Sequence, residues 1–430
     1  MPEPAGSDAA TVSAGQDDPA LVDLATIKTA RDRVAPFVQL TPVEESRAIT
    51  AMVGRRTVLK CEHLQRTGSF KIRGAANRIA QLDEAEQAAG VVCASAGNHA
   101  QGVAVAAREM GVRATVFMPA DAPLPKVDAT RGYGAEVVLG GATFDDALEA
   151  ARAHVQQTGA TFVPPFDHPD VIAGQGTLGL ELLDQVPDAA TVVIAIGGGG
   201  LIAGVGAALK ALRPDIRVVG VEPTGAASAK ASLEAGHPVT LHEMATFADG
   251  VAVKRPGVLT LAHIQAFVDQ VVTVSDEAIA RAVLLLVERA KQVVEPSGAA
   301  PLAALLQPGL IDLGDSPGPV VPVLGGGNVD PLLLNRIIQS GLYEEGRYLV
   351  VITRMLDRPG ALATLLTLLA DLKANVIAVA HHRLNTRLGI LEVQVEVELE
   401  TKGPTHITRV VAALEEAGYP VDAEMPPGVG

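Results

Sequence analysis

Residues 191–204 read TVVIAIGGGGLIAG. The first half is an uninterrupted apolar run rich in β-branched residues, which is typical of a strand buried on both faces. Four glycines, Gly197–Gly200, follow at once and leave the backbone uncovered, so an anion can lie against the N–H groups that open the next helix. The stretch therefore predicts a strand, an anion-binding turn and a helix.

Similar apolar runs recur on both sides of this stretch, and helical patterns such as Ile72, Ala75, Ile79 lie between them. This alternation predicts a mostly parallel α/β sheet, in which ligands gather at the carboxyl ends of the strands. We interpret every run as a strand buried on both faces: TVLKC (57–61), GVVCAS (90–95), ATVFMP (114–119), AEVVLG (135–140), RVVGVE (217–222) and PVVPVLG (319–325).

Two further glycine-containing turns follow such runs, SAGNHAQG at Ser95–Gly102 and LGGGN at Leu324–Asn328. One such turn could be only a helix cap, but three of them after buried strands favour cradles for a ligand. The sequence has no G-x-x-x-x-G-K-[ST], which argues against a nucleoside triphosphatase. A dinucleotide site is disfavoured because no acidic residue is clearly placed about twenty positions after a G-x-G-x-x-G.

The segment GSFKIRGA, 68–75, places Lys71 between Phe70 and Ile72, just before an amphipathic helix. A lysine that is partly withdrawn from water loses its proton more easily and becomes a nucleophilic amine suited to a Schiff base. The alternative is a surface lysine at a helix start whose stem packs on the core.

The composition excludes several classes of partner. The 430 residues include 34 Lys and Arg against 49 Asp and Glu, a net charge of -15, so a nucleic acid or an anionic membrane is not expected. Charged residues interrupt every stretch long enough to span a bilayer, and residues 1–20 resemble a disordered arm, not a signal peptide, so we expect a cytoplasmic protein. Cys61 and Cys93 are expected to be buried thiols.

The last eighty or so residues follow a different pattern, β-α-β-β-α-β, which predicts a ferredoxin-like sandwich. Strands are expected at 348–353, 375–384 and 389–400, with helices at 361–372 and 407–417. In LEVQVEVEL (391–399), apolar residues alternate strictly with Glu or Gln, as a half-exposed antiparallel strand requires. We therefore predict three parts: an arm at 1–20, an α/β unit at 21–340 and a ferredoxin-like unit at 346–426.

From about Leu21 to Ser340 the chain resembles the pyridoxal-phosphate-dependent serine/threonine dehydratases, which have the tryptophan-synthase-β-like fold, fold type II. The resemblance rests on six ordered motifs: SFKIRGA, SAGNHAQG, GGGGLIAG, ADGVAV (248–253), EPSGA (295–299) and GGGN (325–328). It implies a cofactor, pyridoxal 5′-phosphate, and a lyase that deaminates L-threonine, and L-serine more slowly, to 2-oxobutanoate or pyruvate and ammonia.

The resemblance also implies roles for single residues. Lys71 would form the Schiff base, Phe70 would pack on the pyridine ring, and Asn98 would bind the ring hydroxyl. Ser297 would face the pyridine nitrogen, although it could also be a helix N-cap. The phosphate would lie against Gly197, Gly198, Gly199, Gly200 and Leu201, Gly325 would complete the cofactor site, and the substrate carboxylate would meet Ser95, Gly97, Asn98 and His99.

Other functions remain open at this point. Serine racemases of the family carry a serine where this chain has Ala96, and a methyl group cannot donate a proton, so racemisation should be weak. A non-catalytic amino-acid sensor and a nicotinamide oxidoreductase are further alternatives. Some relatives bind a divalent cation at positions that correspond to Glu222, Ala226 and Ser228, but a serine replaces the expected carboxylate, so we expect no divalent metal. A potassium or ammonium ion near Glu222 remains an open alternative.

The C-terminal unit resembles an ACT regulatory domain, on the basis of DRPGAL (357–362) and KANVIAV (373–379). Pro359 and Gly360 form a tight turn whose N–H groups could hold an amino-acid effector such as isoleucine or valine. The alternative is a dimerisation module without a ligand. Because ACT pockets usually form between paired domains, a homodimer or homotetramer is implied. His381 and His382, without a third ligand nearby, are expected to be a surface pair.

Overall fold

We describe a computed structural model of the chain, covering residues 19–383 and 389–423. The chain forms two compact units. The first comprises Met1–Asp276 and Val293–Asn328, and the second comprises Glu277–Gln292 and Val329–Gly430.

The first unit contains two four-stranded parallel sheets and a short antiparallel pair. One sheet has the order β5-β4-β3-β6 and the other β10-β7-β8-β9. Their strands, with the pair β1 and β2, are β1 (Val43–Glu45), β2 (Val58–Lys60), β3 (Val91–Ala94), β4 (Ala114–Met118), β5 (Glu136–Leu139), β6 (Thr161–Phe162), β7 (Thr191–Ala195), β8 (Arg217–Pro223), β9 (Gln270–Val274) and β10 (Val320–Pro322).

Each apolar run named from the sequence forms a strand, but one of them is not buried. All four residues of β3 are buried, as expected for a central strand. In β5, by contrast, Glu136 and Leu139 are exposed. The reason is its position, because β5 is the edge of its sheet and pairs only with β4. The prediction of burial on both faces is therefore wrong for residues 135–140.

Helices connect the parallel strands, as parallel pairing requires. In chain order up to residue 305 they are α1 (Leu24–Val34), α2 (Arg47–Val53), α3 (Lys71–Ile79), α4 (Glu84–Ala89), α5 (Asn98–Glu109), α6 (Leu124–Gly132), α7 (Phe144–Thr158), α8 (Pro169–Gln185), α9 (Gly200–Leu212), α10 (Ser228–Ala235), α11 (Val258–Phe267), α12 (Asp276–Leu285) and α13 (Pro296–Leu305). Among the residues that the structure describes, no helix has both the length and the apolar character needed to cross a membrane.

Helices α3 and α5 approach each other closely, and this contact fixes the start of α3. A β-carbon added to Gly102 of α5 would lie 3.1 Å from the Lys71 carbonyl carbon and 3.0 Å from the Ile72 nitrogen. A glycine is needed at position 102 because the backbone of the next helix occupies the space of a side chain. The helix that begins with Asn98 is thereby packed directly against the backbone of Lys71.

A second constraint on α3 is a buried cluster of four charged groups. Arg73 donates hydrogen bonds to both oxygens of Glu62, each at 2.8 Å, and to Glu181 at 2.8 Å. Lys60 donates to the other oxygen of Glu181 at 2.6 Å. Lys60 and Glu62 are fully buried and Arg73 is 1% exposed, so the two positive and two negative charges compensate each other away from water.

The second unit is an antiparallel sheet with helices, in the order predicted from the sequence. Its sheet has the order β12-β13-β11-β14. On β13, Val393, Val395, Val397 and Leu399 are buried as the alternation predicted, whereas Leu391 precedes the strand and is exposed. All of α12 except Asp276 also belongs to this unit. Its further elements are α14 (Pro331–Glu344), β11 (Tyr348–Leu356), α15 (Ala361–Asp371), β12 (Asn375–His382), β13 (Glu392–Glu400), α16 (Pro404–Glu416) and β14 (Val421–Asp422).

Candidate active site

The predicted site residues of the first unit come together around the carboxyl ends of its parallel strands. Ser95 follows β3, Gly197 follows β7 and Gly325 follows β10. The backbone N–H of Phe70 donates to the Gly325 carbonyl at 3.1 Å, which joins the SFKIRGA segment to the third glycine turn. A β-carbon on Gly325 would lie 3.4 Å from the Phe70 ring. The two segments therefore form one wall of a common site.

Lys71 is the first residue of α3 and is partly buried. Its Nζ donates to the Pro165 carbonyl at 3.0 Å and lies 5.3 Å from the centre of the Phe70 ring. Burial lowers the pKa of this amine to about 8, and the nearby Glu295 acts in the opposite direction. Close to neutral pH the amine can therefore exist in the uncharged, nucleophilic form that the sequence predicted.

Neighbouring residues occupy the space that side chains would need on the tetraglycine turn. A β-carbon on Gly197 would lie 3.0 Å from the Val251 α-carbon, and one on Gly198 would lie 2.1 Å from the Phe166 ring. Gly199 has a φ of +89°, in the left-handed region that favours glycine. Helix α9 begins at Gly200, and its second residue, Leu201, is buried. The turn therefore offers backbone N–H groups and a helix N-terminus, which fit a phosphate group.

Asn98 belongs to a chain of hydrogen bonds across the site. Its Nδ2 donates to Glu295 Oε1 at 2.8 Å, and its Oδ1 accepts from Asn328 Nδ2 at 2.8 Å. Ser297 Oγ donates to the same Glu295 oxygen at 2.6 Å. The structure thus connects Asn98 and Ser297, which the sequence analysis treated separately, through a carboxyl group that it did not assign.

The predicted substrate loop lies at the start of α5. Ser95 Oγ accepts from the Gly97 N–H at 3.2 Å. His99 is 4% exposed and its Nε2 lies 2.9 Å from the Val163 carbonyl. Burial lowers the pKa of His99 to about 3, with a further contribution from the charge of Lys71, so the ring is neutral and Nε2 is the donor to that carbonyl. The Nε2–H of His99 is therefore committed to the Val163 carbonyl.

Glu222 and Ser228 lie together in the first unit. Both carboxylate oxygens of Glu222 accept backbone hydrogen bonds at the start of α10, from Ala229 at 2.7 Å and from Lys230 at 2.9 Å. Burial raises the pKa of Glu222 to about 7. The Ser228 hydroxyl is buried without a hydrogen-bond partner in the described part of the chain.

The two residues predicted for the C-terminal unit form an exposed turn. Gly360 has a φ of +90° and is the N-cap of α15, and Pro359 precedes it. The Gly360 carbonyl accepts from the Thr364 N–H at 3.0 Å, the first hydrogen bond of the helix. Further along the same unit, His381 and His382 are exposed on β12.

Sequence reasoning missed several residues that contact the predicted site, among them Pro165, Phe166 and Glu295. The first two belong to the loop after β6, a strand of only two residues that carries no glycine-rich signal. Glu295 is the first residue of the motif EPSGA, in which the sequence analysis assigned a role only to the serine. A carboxylate next to a proline, directly before an apolar helix, was the available signal for a buried partner.

Comparison with known proteins identifies the family. A sequence profile of the family described as pyridoxal-phosphate dependent enzyme matches residues 34–324. The L-threonine ammonia-lyase of Geobacter sulfurreducens is 48% identical over 92% of this chain and 98% of its own length. The L-threonine ammonia-lyase of Thermotoga maritima is 45% identical, covering 93% and 99%. The structure of maize serine racemase superposes with a TM-score of 0.71 at 40% identity, covering 74% of this chain and 97% of that one. The chain therefore belongs to the pyridoxal-phosphate dependent enzymes.

Proposed function

We propose that this enzyme is a threonine ammonia-lyase, which converts L-threonine to 2-oxobutanoate and ammonia, and L-serine more slowly to pyruvate. The observation that carries the proposal is the Lys71 amine, which has a pKa lowered to about 8 and donates to the carbonyl of Pro165. The next residue, Phe166, packs its ring against Gly198 of the tetraglycine turn. The two threonine ammonia-lyases above support it, because each aligns over nearly the whole of this chain.

Pyridoxal phosphate, when bound, supplies an aldehyde that captures amines and a ring that withdraws electrons from the α-carbon. Lys71 would hold that aldehyde through its amine, and its Nζ would accept the α-proton of the substrate. The N–H groups of residues 197–201 would hold the phosphate, and Phe70 and Gly325 would line the ring. The N–H groups after Ser95 orient the substrate carboxylate.

Loss of the β-hydroxyl group as water leaves an enamine of the substrate. This product tautomerises and is hydrolysed, which releases ammonia and the 2-oxo acid. The hydrolysis takes up one water molecule, which balances the one lost in the elimination. We place Ser297 at the pyridine nitrogen, where a neutral hydroxyl makes the ring a weaker electron sink than a carboxylate would. A weaker sink suits elimination, because little negative charge has to be stored before the hydroxyl leaves.

Serine racemisation is the second candidate, favoured by the structural similarity to maize serine racemase. We place it second because position 96 carries a methyl group, which cannot protonate the face opposite Lys71. Incubation with L-serine followed by chiral chromatography separates the two functions. Pyruvate without D-serine supports the lyase, and accumulation of D-serine supports the racemase.

The test of the catalytic assignment is Lys71→Ala, with Lys28→Ala as a matched control on the exposed side of α1. We expect Lys71→Ala to abolish release of 2-oxo acid and the cofactor absorption band near the visible edge. Lys28→Ala should keep both. A Lys71→Ala variant that retains turnover and the band contradicts the proposal.

We also propose that the C-terminal unit is an ACT domain that binds an amino acid, such as isoleucine or valine, and regulates activity. The β-α-β-β-α-β order, the antiparallel sheet and the turn at Pro359 and Gly360 support this assignment. Gly360→Ala strains a φ of +90°, so it should weaken the response to the effector while basal activity remains. An unchanged isoleucine and valine response contradicts the assignment of the turn.

The remaining assignments are of assembly and location. We propose domain limits of 21–340 and 346–426, a homodimer or homotetramer, and a cytoplasmic protein. Residues 1–18 and 424–430 lie outside the described residues. Light scattering of the purified protein measures the assembly, and a mass of one chain contradicts it.

A further inference from the structure

The carboxyl group of Glu295 has no assigned task in the proposed reaction, although it lies inside the site. It accepts hydrogen bonds from Asn98 Nδ2 at 2.8 Å and from Ser297 Oγ at 2.6 Å. The residue is 6% exposed, and burial raises its pKa. A carboxyl group is costly to bury without partners, so its position calls for an explanation beyond packing.

The hydrogen bonds around Asn98 define the orientation of its amide. Asn328 Nδ2 donates to the Thr67 carbonyl at 2.8 Å, which can only accept, so Asn328 presents its nitrogen on this side. The same nitrogen donates to Asn98 Oδ1, and Asn98 therefore turns its own nitrogen to Glu295. One Nδ2 proton of Asn98 is used by Glu295, and the second has no acceptor among the residues that the structure describes, so it is available to a ligand.

Glycines enclose the Glu295 carboxyl group from two segments. A β-carbon on Gly326 would lie 2.4 Å from Glu295 Oε1, and one on Gly250 would lie 3.2 Å from the same oxygen. The same carbon on Gly250 would lie 2.5 Å from Ser297 Oγ. The motifs ADGVAV and GGGN thus leave just enough room for this carboxyl group, which restricts its movement.

We propose that Glu295 is a positioning residue, which together with Asn328 fixes the Asn98 amide so that its second Nδ2 proton is directed to the ring hydroxyl of the cofactor. The inference rests on the proposed function, because it takes pyridoxal phosphate as the ligand of Asn98. Glu295 itself acts through Asn98, and its loss should weaken cofactor binding first and turnover as a consequence.

The experiment compares Glu295→Gln and Glu295→Ala with the exposed control Glu84→Ala. Cofactor is removed, and each protein is titrated with pyridoxal phosphate while its absorption and fluorescence are recorded. Glutamine keeps an oxygen that accepts from Asn98, so its dissociation constant should stay within about threefold of the wild type. Alanine removes that acceptor and should weaken binding about tenfold or more, with a shifted absorption band.

Asn328→Asp provides a second test that keeps the volume of the side chain. It replaces the donor to Asn98 Oδ1 by an oxygen, so the Asn98 amide loses its fixed orientation and cofactor affinity should fall. Wild-type affinity in both Glu295→Ala and Asn328→Asp overturns the inference, as does a Glu295→Gln variant as weak as Glu295→Ala. A wild-type protein without a Lys71-dependent absorption band contradicts the proposed function instead.

Discussion

The two units of the chain differ in what they bury. The first unit buries charged side chains, among them Lys60, Glu62, Arg73, Glu222 and Glu295. In the described part of the second unit no Asp, Glu, Lys or Arg is buried, and its core consists of apolar residues such as Leu365, Val395 and Leu414. Burial of charge is costly unless every group is paired, whereas apolar burial stabilises a fold by itself.

Buried charge marks the part of the chain in which specific geometry is required. The charged cluster contains Arg73, which lies two residues after Lys71 on α3, and the buried Glu295 contacts Asn98, so two of these charged groups adjoin predicted site residues. The second unit has only exposed residues at its proposed effector turn. We expect substitutions of polar residues to have large effects in the first unit and small ones in the second.

The largest effect is expected for Arg73→Ala. This change leaves Glu62 and Glu181 without their shared cation in the protein interior, which should cost about 3–5 kcal/mol of unfolding free energy. Chemical denaturation followed by circular dichroism measures it. A loss below about 1 kcal/mol would mean that the cluster is no more important than a surface pair.

A slightly smaller effect is expected for Gly198→Val. Its β-carbon would collide with the Phe166 ring, at 2.1 Å, and displace the turn proposed to hold the phosphate. Cofactor affinity should fall about a hundredfold, which corresponds to about 2.7 kcal/mol. Gly140→Ala is the control, because a β-carbon there meets nothing within 4 Å. Equal affinity of both variants would contradict the proposed cradle.

Much of this arrangement follows from the sequence because buried strands and glycine turns leave a local pattern. The six apolar runs of the first unit outside 191–204, and the alternation in β13, all form strands. The strands β1, β6 and β9 were not predicted. Strand β5 was predicted to be buried on both faces, because an apolar run does not show which strand lies at the edge of a sheet.

The candidate site was predictable only in part, for a related reason. Lys71, Asn98 and the glycines lie in segments whose local sequence already indicates a turn or a helix start. Glu295 and Phe166 contact residues far away in the chain: Glu295 bonds to Asn98, which precedes it by 197 positions. Such long-range pairs depend on packing of the whole unit, and no local pattern records them.

The rate constant with which the cofactor-free enzyme captures the cofactor is expected to change about tenfold per pH unit below pH 8. With its pKa lowered to about 8, the Lys71 amine is mostly protonated below this pH, and its neutral fraction falls about tenfold per unit. The rate constant should therefore rise from pH 6 to pH 8 and level off above it. Stopped-flow absorbance measures it, and a cofactor analogue without the aldehyde should show no such rise.

The smallest effect is expected for Arg383→Ala in the second unit. Arg383 lies 2.7 Å from Asp357, but its side chain is 66% exposed. Water and salt screen such exposed pairs, so the free energy of unfolding should change little. A loss as large as that of Arg73→Ala would remove the contrast between the two units.

If the Lys71 amine carries the cofactor, borohydride reduction attaches the cofactor permanently to this residue. The enzyme with bound pyridoxal phosphate is reduced, digested and analysed by mass spectrometry, with Lys28 and Lys126 as internal controls. We expect one phosphopyridoxyl group per chain, on the peptide that contains Lys71. A label on another lysine, or an unmodified Lys71 in an active enzyme, would contradict it.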